Sequence, residues 1–286
     1  MAAPPPVSYL HNEHSVIYSM AMDIDQTPAA EIVAVAVEGA VGIVTLGAPA
    51  LTRKAKEQLL AGLGRLSTDD SVRAVVLTGS GKVFCAGQDL AEHATSLDAD
   101  PAGAFDTLAD HYHPTVLALT AMPKPVVAAI NGTCAGAGIS LALACDIRVC
   151  SDAAKFATAF TGIGLTADSG LSASLTRAVG TARASELILL AEPFTAQQAF
   201  EWGLVGRLTD PGSVLSDTMA LASRLAAGPT LAYAEAKRAI QAAARPALED
   251  VLASEQAAQS RLGQTADHKG AVASFLAKRR PEFHAR

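Results

Sequence analysis

One stretch without a charged residue, Val126 to Cys145, constrains the fold of this chain most. It runs for 20 residues, which is long enough for one helix to span a bilayer. However, Asn131-Gly132 lies inside it, and Gly136 and Gly138 follow. Turn-forming residues at these places favour a buried strand, a tight turn and a short buried helix. The stretch therefore predicts part of a globular core and no membrane span.

The segments around this stretch alternate between strand and helix patterns. Ile32 to Val37 and Val41 to Leu46 are β-branched runs that predict a hairpin. A helix is predicted from Thr52 to about Leu66, and residues after Ser172 are nearly all helical in pattern. No internal repeat is visible in the sequence. The order of elements predicts an α/β core followed by a helical segment.

Composition limits the functions that need considering. Half of the 286 residues are hydrophobic, 17% are charged and the net charge is -6. Such a chain can bury a sizeable core, and its charge argues against general nucleic-acid binding. The four cysteines lack metal-ligand spacing, so we expect buried reduced thiols and no metal site. No secretory signal is visible, and we expect a cytoplasmic protein.

Two segments could carry chemistry. In the first, Phe84 to Leu90 (FCAGQDL), Gly87 allows a backbone conformation that turns the N–H of Gln88 into a pocket. An ordinary strand-to-loop turn is the alternative. The second, Asn131 to Gly138 (NGTCAGAG), leads into a helix whose N-terminus would present unpaired N–H groups. Both segments therefore suit an oxygen that gains negative charge.

Three other interpretations of the second segment are open. The glycines could simply pack the helix against the sheet. A dinucleotide loop would need a third glycine where Leu141 stands. Ser140 could be a hydrolase nucleophile, but the sequence around it breaks the G-x-S-x-G pattern.

Taken together, the two segments resemble the enoyl-CoA hydratase/isomerase (crotonase) family, and the resemblance extends from about residue 31 to 286. It implies a spiral of β-β-α repeats with a C-terminal helical trimerisation segment. We assign residues 1–30 to a disordered extension, 31–210 to the spiral core and 211–286 to the helical segment. It also implies that the N–H groups of Gln88 and Ala137 form an oxyanion hole for a thioester substrate.

The resemblance also indicates which reaction to expect. Hydratases of this family use two glutamates, and the matching positions here are Ser140 and Phe160. One acid stands in the right region: Asp168, in a turn like that of the 1,2-epoxyphenylacetyl-CoA isomerases, whose motifs are the most similar. Thr166-Ala167 and Leu171 depart from that turn. The resemblance implies an acyl-CoA isomerase that shifts a double bond or rearranges a ring, with Asp168 as acid and base.

Other roles stay open for this region. Asp168 also matches the nucleophile of 4-chlorobenzoyl-CoA dehalogenases, although Phe160 replaces their tryptophan and His93 is expected on a surface loop. Asp168 could instead cap the helix that follows it. The chain could be a hydratase using Glu92 or Asp89, or a non-catalytic CoA-binding protein. Ser140, Phe160 and Leu165 are expected to line the substrate pocket, and the apolar neighbours should raise the pKa of Asp168.

Coenzyme A is expected as part of the substrate, with no separate cofactor. The resemblance implies that its pantetheine lies along the backbone of Ala86 and Gly87. The nucleotide would meet cationic side chains and the C-terminal helix of a neighbouring subunit in a homotrimer or a hexamer. The matching candidates are Arg53, Lys54, Lys56, Phe275 and Lys278.

Overall fold

The computed structural model describes residues 32–242, 248–279 and 281; the extension expected at 1–30 lies outside this range. The strands are β1 Val33–Glu38, β2 Val41–Leu46, β3 Ala74–Gly79, β4 Val83–Cys85, β5 Val126–Ile130, β6 Thr133–Ala135, β7 Ile147–Ser151, β8 Lys155–Ala157, β9 Phe194–Thr195 and β10 Arg207–Thr209. The α-helices are α1 Arg53–Thr68, α2 Leu90–Ala99, α3 His113–Ala121, α4 Ala137–Ala144, α5 Leu171–Leu190, α6 Ala196–Glu201, α7 Val214–Ala226, α8 Thr230–Ala242, α9 Leu248–Leu262 and α10 Ala266–Leu276. Short 3-10 turns occupy Gly103–Phe105 and Thr161–Ile163, and a π-helix occupies Leu108–Tyr112.

The strands form two sheets. The larger has the order β1-β2-β3-β5-β7-β10, and the smaller has the order β4-β6-β8-β9. Only the β1–β2 hairpin and the β8–β9 pair are antiparallel in the described ranges. β5 is buried along its whole length, as its uncharged sequence predicts for a strand covered on both faces.

The chain repeats one path through these sheets. It adds β3, β5 and β7 to the larger sheet, each followed by β4, β6 or β8 in the smaller sheet. A helix comes after each pair: α2, α4 or α5. This is a spiral of β-β-α turns, and it confirms the predicted fold class.

Close backbone contacts lock successive turns together. The side chain of Asn131 accepts from the N–H of Gly79 at 3.1 Å and donates to the carbonyls of Gly81 and Val83. A Cβ on Gly138 would lie 2.2 Å from the carbonyl oxygen of Cys85. Gly138 therefore packs the start of α4 against β4.

The helical C-terminal segment lies on its own core. α7 packs on the larger sheet against β3, β5 and β7. α8 is tied to the core by Lys237, whose ammonium contacts Asp146 at 2.9 Å and donates to the carbonyl of Leu119. α9 packs against α5, while α10 packs against α2 and the turn at 161–163. The last two helices therefore reach the side of the core where β4 and β6 end.

Some local expectations differ from the structure. The uncharged stretch contains a strand, β6, where a turn was expected, because its short backbone run pairs between β4 and β8. The segment at Leu90–Ala99 is a helix that was not predicted; Asp89 caps it by accepting from the N–H of Glu92. No helix among the described residues is both long enough and apolar enough to cross a membrane.

Candidate active site

The two segments singled out in the sequence meet at the ends of β4 and β6. Gly87 has φ of 87° and Gly136 has φ of 52°, conformations that favour glycine. A Cβ at Gly87 would stand 3.2 Å from the nitrogen of Ala137. The glycine therefore lets the loop after β4 lie directly against the N-terminus of α4.

The N–H of Gln88 is directed by its neighbours. The carbonyl of Gly87 accepts from the N–H of Leu51 at 2.8 Å, and the N–H of Asp89 donates to the carbonyl of Leu51 at 3.2 Å. In a trans peptide the C=O of one residue and the N–H of the next point in opposite directions. The N–H of Gln88 therefore points away from Leu51.

The N–H of Ala137 is unpaired for a different reason. Ala137 is the first residue of α4, so its N–H has no carbonyl one turn earlier to bind. Within the described ranges, neither this N–H nor that of Gln88 donates a hydrogen bond. Both residues line one cavity of about 840 Å³, a size that suits a ligand pocket.

Asp168 lines the same cavity. It is only 8% exposed, and burial raises the pKa of its carboxyl to about 6, as the sequence predicted for an acid among apolar neighbours. Hydrogen bonds from Ser169 Oγ to Oδ1 (2.8 Å) and from Gln259 Nε2 to Oδ2 (3.0 Å) oppose this rise. The result is a carboxyl group that is both fixed in place and able to exchange a proton near neutral pH.

Asp168 does not cap α5, so that alternative is wrong. The N-cap residue is Gly170, and Glu255 of α9 fills the capping role by accepting from the N–H groups of Gly170 (2.7 Å) and Ser172 (3.2 Å). Burial raises the pKa of Glu255 to about 7. Glu255 and Gln259 were not singled out in the sequence, because their partners lie far away along the chain.

The three predicted pocket residues separate into two groups. Phe160 and Leu165 line the cavity. Ser140 does not line it: its hydroxyl donates to the backbone carbonyl of Asp168 at 3.3 Å. The prediction that Ser140 lines the pocket is therefore wrong, because its side chain points to the loop that carries Asp168.

Some of the residues predicted to contact coenzyme A line the cavity, and others do not. Ala86, Gly87, Phe275 and Lys278 line the cavity. Lys54 is exposed in a different groove, between β1 and α1. Arg53 is exposed at the start of α1, where its N–H donates to Glu92 Oε1 at 2.7 Å.

Lys56 departs most from expectation. It is 2% exposed, and its ammonium donates to Gln88 Oε1 and Thr107 Oγ1. A side chain so committed inside the protein is not placed for a nucleotide phosphate at the surface.

The last helix, α10, reaches the cavity from within the same chain; the contribution expected from a neighbouring subunit stays a prediction. His268 of α10 donates from Nδ1 to the carbonyl of Ile163 at 2.8 Å, so its Nε2 accepts from His93 Nε2 at 3.1 Å. His93 is 5% exposed and lines the cavity, so its expected surface position is wrong. This buried histidine pair holds α10 over the pocket of its own chain.

Residues 36–286 match the family model described as enoyl-CoA hydratase/isomerase. The chain belongs to the enoyl-CoA hydratase/isomerase family. It is similar to the 1,2-epoxyphenylacetyl-CoA isomerase of Escherichia coli K12, at 40% identity over 79% of this chain and 86% of that protein. It is also similar to the 2,3-dehydroadipyl-CoA hydratase of the same organism, at 36% identity over 85% and 95%.

Solved structures of the family agree with this fold. An enoyl-CoA hydratase from Mycobacterium avium subsp. paratuberculosis K-10 superposes with a TM-score of 0.79 at 32% identity, over 89% of this chain and 99% of that one. The relatives of this chain in the enoyl-CoA hydratase/isomerase family thus include enzymes named for both reactions.

For a member of the enoyl-CoA hydratase/isomerase family, the other acids near the cavity matter. Asp89 lines the cavity, but its Oδ1 accepts from the N–H of Glu92 at the start of α2. Glu92 does not line the cavity, and its Oε1 accepts from the N–H of Arg53. Both carboxylates are therefore engaged at helix N-termini, where negative charge is favourable.

Proposed function

We propose that this chain is an acyl-CoA isomerase that shifts a double bond or rearranges a ring in a CoA thioester. Asp168 serves as acid and base, and the N–H groups of Gln88 and Ala137 bind the thioester oxygen. One observation carries the proposal: a buried carboxyl with a raised pKa opens on the same cavity as two unpaired backbone N–H groups.

The reaction needs only these groups. In the double-bond shift, the Asp168 carboxylate removes a proton from the carbon next to the thioester carbonyl, and the electron pair of the broken C–H bond moves to the thioester oxygen. The two N–H donors stabilise the resulting enolate; one such donor is typically worth roughly 10²–10³ in rate. The enolate then collapses, and protonated Asp168 returns the proton to a different carbon. A pKa of about 6 suits a group that acts in both directions.

Coenzyme A enters this proposal as part of the substrate. Its pantetheine would run along the backbone of Ala86 and Gly87, and its nucleotide would lie near Phe275 and the exposed Lys278. Arg53 stays a candidate for the phosphates because it is exposed, whereas Lys54 and Lys56 are left out.

Assembly into trimers or hexamers is a further part of the proposal. It comes from the family resemblance, and the exposed apolar side chains of Leu231 and Ile240 on α8 support it. Light scattering of the purified protein would give the subunit number directly, and a monomer would contradict this part.

The test compares Asp168→Asn with Asp152→Asn, a matched change at an exposed site outside the cavity. We expect Asp168→Asn to slow conversion of a 3-enoyl-CoA to its 2-enoyl isomer about 10²–10⁴-fold. Asp152→Asn should keep wild-type activity. Near-wild-type turnover by Asp168→Asn would remove the proposed role.

A parallel assay separates the other functions. Robust hydration of crotonyl-CoA by the wild type would favour the hydratase alternative. Binding of CoA thioesters without turnover of any of them would favour a non-catalytic protein. Chloride release from 4-chlorobenzoyl-CoA would favour nucleophilic attack by Asp168.

A further inference from the structure

Lys56 is an unusual cation for the interior of a protein. Its side chain is almost fully buried, and within the described ranges its ammonium forms no ion pair. Burial lowers its pKa to about 8. A buried ammonium without a paired carboxylate is costly, which points to a role beyond packing.

The contacts of Lys56 converge on Gln88. Its Nζ donates to Gln88 Oε1 at 3.0 Å and to Thr107 Oγ1 at 2.6 Å, and it stands 5.1 Å from the centre of the Tyr112 ring. Tyr112 Oη donates to the same Gln88 oxygen at 2.7 Å. Two donors from different elements, α1 and the π-helix at 108–112, therefore hold one amide oxygen.

These two hydrogen bonds to the side chain, which we call the anchor, complete the restraint of Gln88. The backbone on both sides of Gln88 is fixed by Leu51, and the side chain is fixed by Lys56 and Tyr112. The N–H of Gln88 is the group that remains free, and it belongs to a residue that lines the cavity. A residue fixed at backbone and side chain holds its N–H in one direction, which is what preorganised oxyanion stabilisation requires.

We propose that Lys56, with Tyr112, positions the N–H of Gln88 toward the thioester oxygen and supplies the positive charge behind it. The inference rests on the proposed function, and it replaces the expected phosphate contact. Lys56 does not line the cavity and is a positioning residue. The charged groups that act on it are Glu92, Arg53, Asp168 and Asp89.

The first experiment reads the oxyanion site without turnover. Hexanoyl-CoA, labelled with ¹³C at its thioester carbonyl, is bound to the protein and its carbonyl infrared band is recorded. In the wild type we expect the band to move to lower frequency than in free solution. In Lys56→Met most of that shift should be lost, while Lys82→Met, at an exposed lysine outside the cavity, should keep it.

Kinetics give a second, independent readout. We expect Lys56→Met to lower kcat roughly 10- to 100-fold with KM for the acyl-CoA changed less than about threefold. A phosphate-binding lysine would behave oppositely: KM would rise, kcat would hold, and the effect would disappear with a 3′-dephospho-CoA thioester. That second pattern, or an unchanged infrared band, would overturn the inference.

Two further variants keep the test decisive if Lys56→Met does not fold. Tyr112→Phe removes one of the two donors and should give a partial loss of both the band shift and kcat. Gln88→Met removes the shared acceptor, and combining it with Tyr112→Phe should add little to its effect. Full additivity, or wild-type behaviour of both single variants, would contradict the anchor.

The outcome is separable from that of the proposed function. If Asp168→Asn is active but the carbonyl band depends on Lys56, the isomerase proposal fails and the positioning role stands. If Asp168→Asn is inactive and the band does not depend on Lys56, the isomerase proposal stands and the positioning role fails.

Discussion

Gln259 Nε2 donates a hydrogen bond to Asp168 Oδ2 at 3.0 Å and thereby joins α9 to the carboxyl group of the candidate site. The other end of the same amide, Oε1, accepts from the N–H of Thr166 at 3.2 Å. A helix of the C-terminal segment therefore fixes both the carboxyl group and the turn that carries it.

This contact predicts a shift in the pH dependence of activity. The amide stabilises the ionised carboxylate, so Gln259→Leu should raise the pKa of Asp168 above its value of about 6. If the carboxylate is the base, activity rises with pH through that pKa. The acidic limb of the kcat/KM profile should therefore move to higher pH in Gln259→Leu. Gln264→Leu, at an exposed glutamine, should leave the limb in place; a profile unchanged in Gln259→Leu would contradict the coupling.

Glu255 predicts a pH dependence of stability. Its pKa is raised from 4.5 to about 7 in the folded protein, so the folded state binds its proton more tightly than the unfolded state. The stability that this contributes is present below pH 4.5 and is lost as pH rises through about 7.

Urea unfolding of Glu255→Gln across this window checks the sign. Glutamine keeps an acceptor for the N–H groups of α5 but does not titrate. We expect the stability of the wild type relative to Glu255→Gln to fall by on the order of 1–3 kcal/mol between the two pH limits. Glu249→Gln, an exposed change on the same helix, should show no such trend. A difference that is flat with pH would disprove the assignment.

The sequence predicted those parts of the fold that depend on neighbouring residues. The β1–β2 hairpin, the helix α1 that begins after Thr52 and the buried strand β5 were all expected and are all present. The spiral itself came from the family resemblance, since no internal repeat is visible. The segments FCAG after β3 and TCAG after β5 do share Cys-Ala-Gly, but a match of three residues is too short to predict a repeated structural unit.

The sequence could not predict groups whose meaning depends on distant partners. Lys56 resembles any lysine on an amphipathic helix until Gln88 and Tyr112 lie beside it. His93 looked exposed because its helix was missed and because its partner, His268, is in another element. One signal was available: Lys56 lies three residues before Leu59 and seven before Leu63, which places a lysine on the buried face of α1.

The histidine pair predicts a stability effect of its own. His268→Leu would leave the Nε2–H of His93 and the carbonyl of Ile163 without partners inside the protein. Each buried group left unpaired typically costs about 1–3 kcal/mol. Because two groups lose their partners, we expect His268→Leu to lower the free energy of unfolding by roughly 2–6 kcal/mol, as measured by urea denaturation, and to increase proteolysis within α10. Lys269→Leu, an exposed neighbour, is the control; equal stability of both variants would show that the pair does not hold the helix.

The same substitution, glycine to alanine, should have opposite effects on stability at Gly138 and at Gly64. In Gly138→Ala the new methyl group would lie 2.2 Å from the carbonyl oxygen of Cys85, which is far inside contact distance. Backbone atoms cannot yield as a side chain can, so α4 must move away from β4. Since Ala137 begins that helix and Gln88 follows that strand, the two N–H groups would separate. We expect a stability loss of about 1–3 kcal/mol or more together with a drop in kcat.

Gly64→Ala provides the matched comparison. Gly64 lies in α1, is exposed, and has no atom within 4 Å of the added methyl group. Alanine is favoured over glycine in a helix by about 1 kcal/mol, because the unfolded chain loses less freedom on folding. Gly64→Ala should therefore be neutral to stabilising, with normal kcat. If Gly138→Ala were equally harmless in thermal unfolding and in turnover, the close seating of α4 on β4 would not be what brings the two N–H groups together.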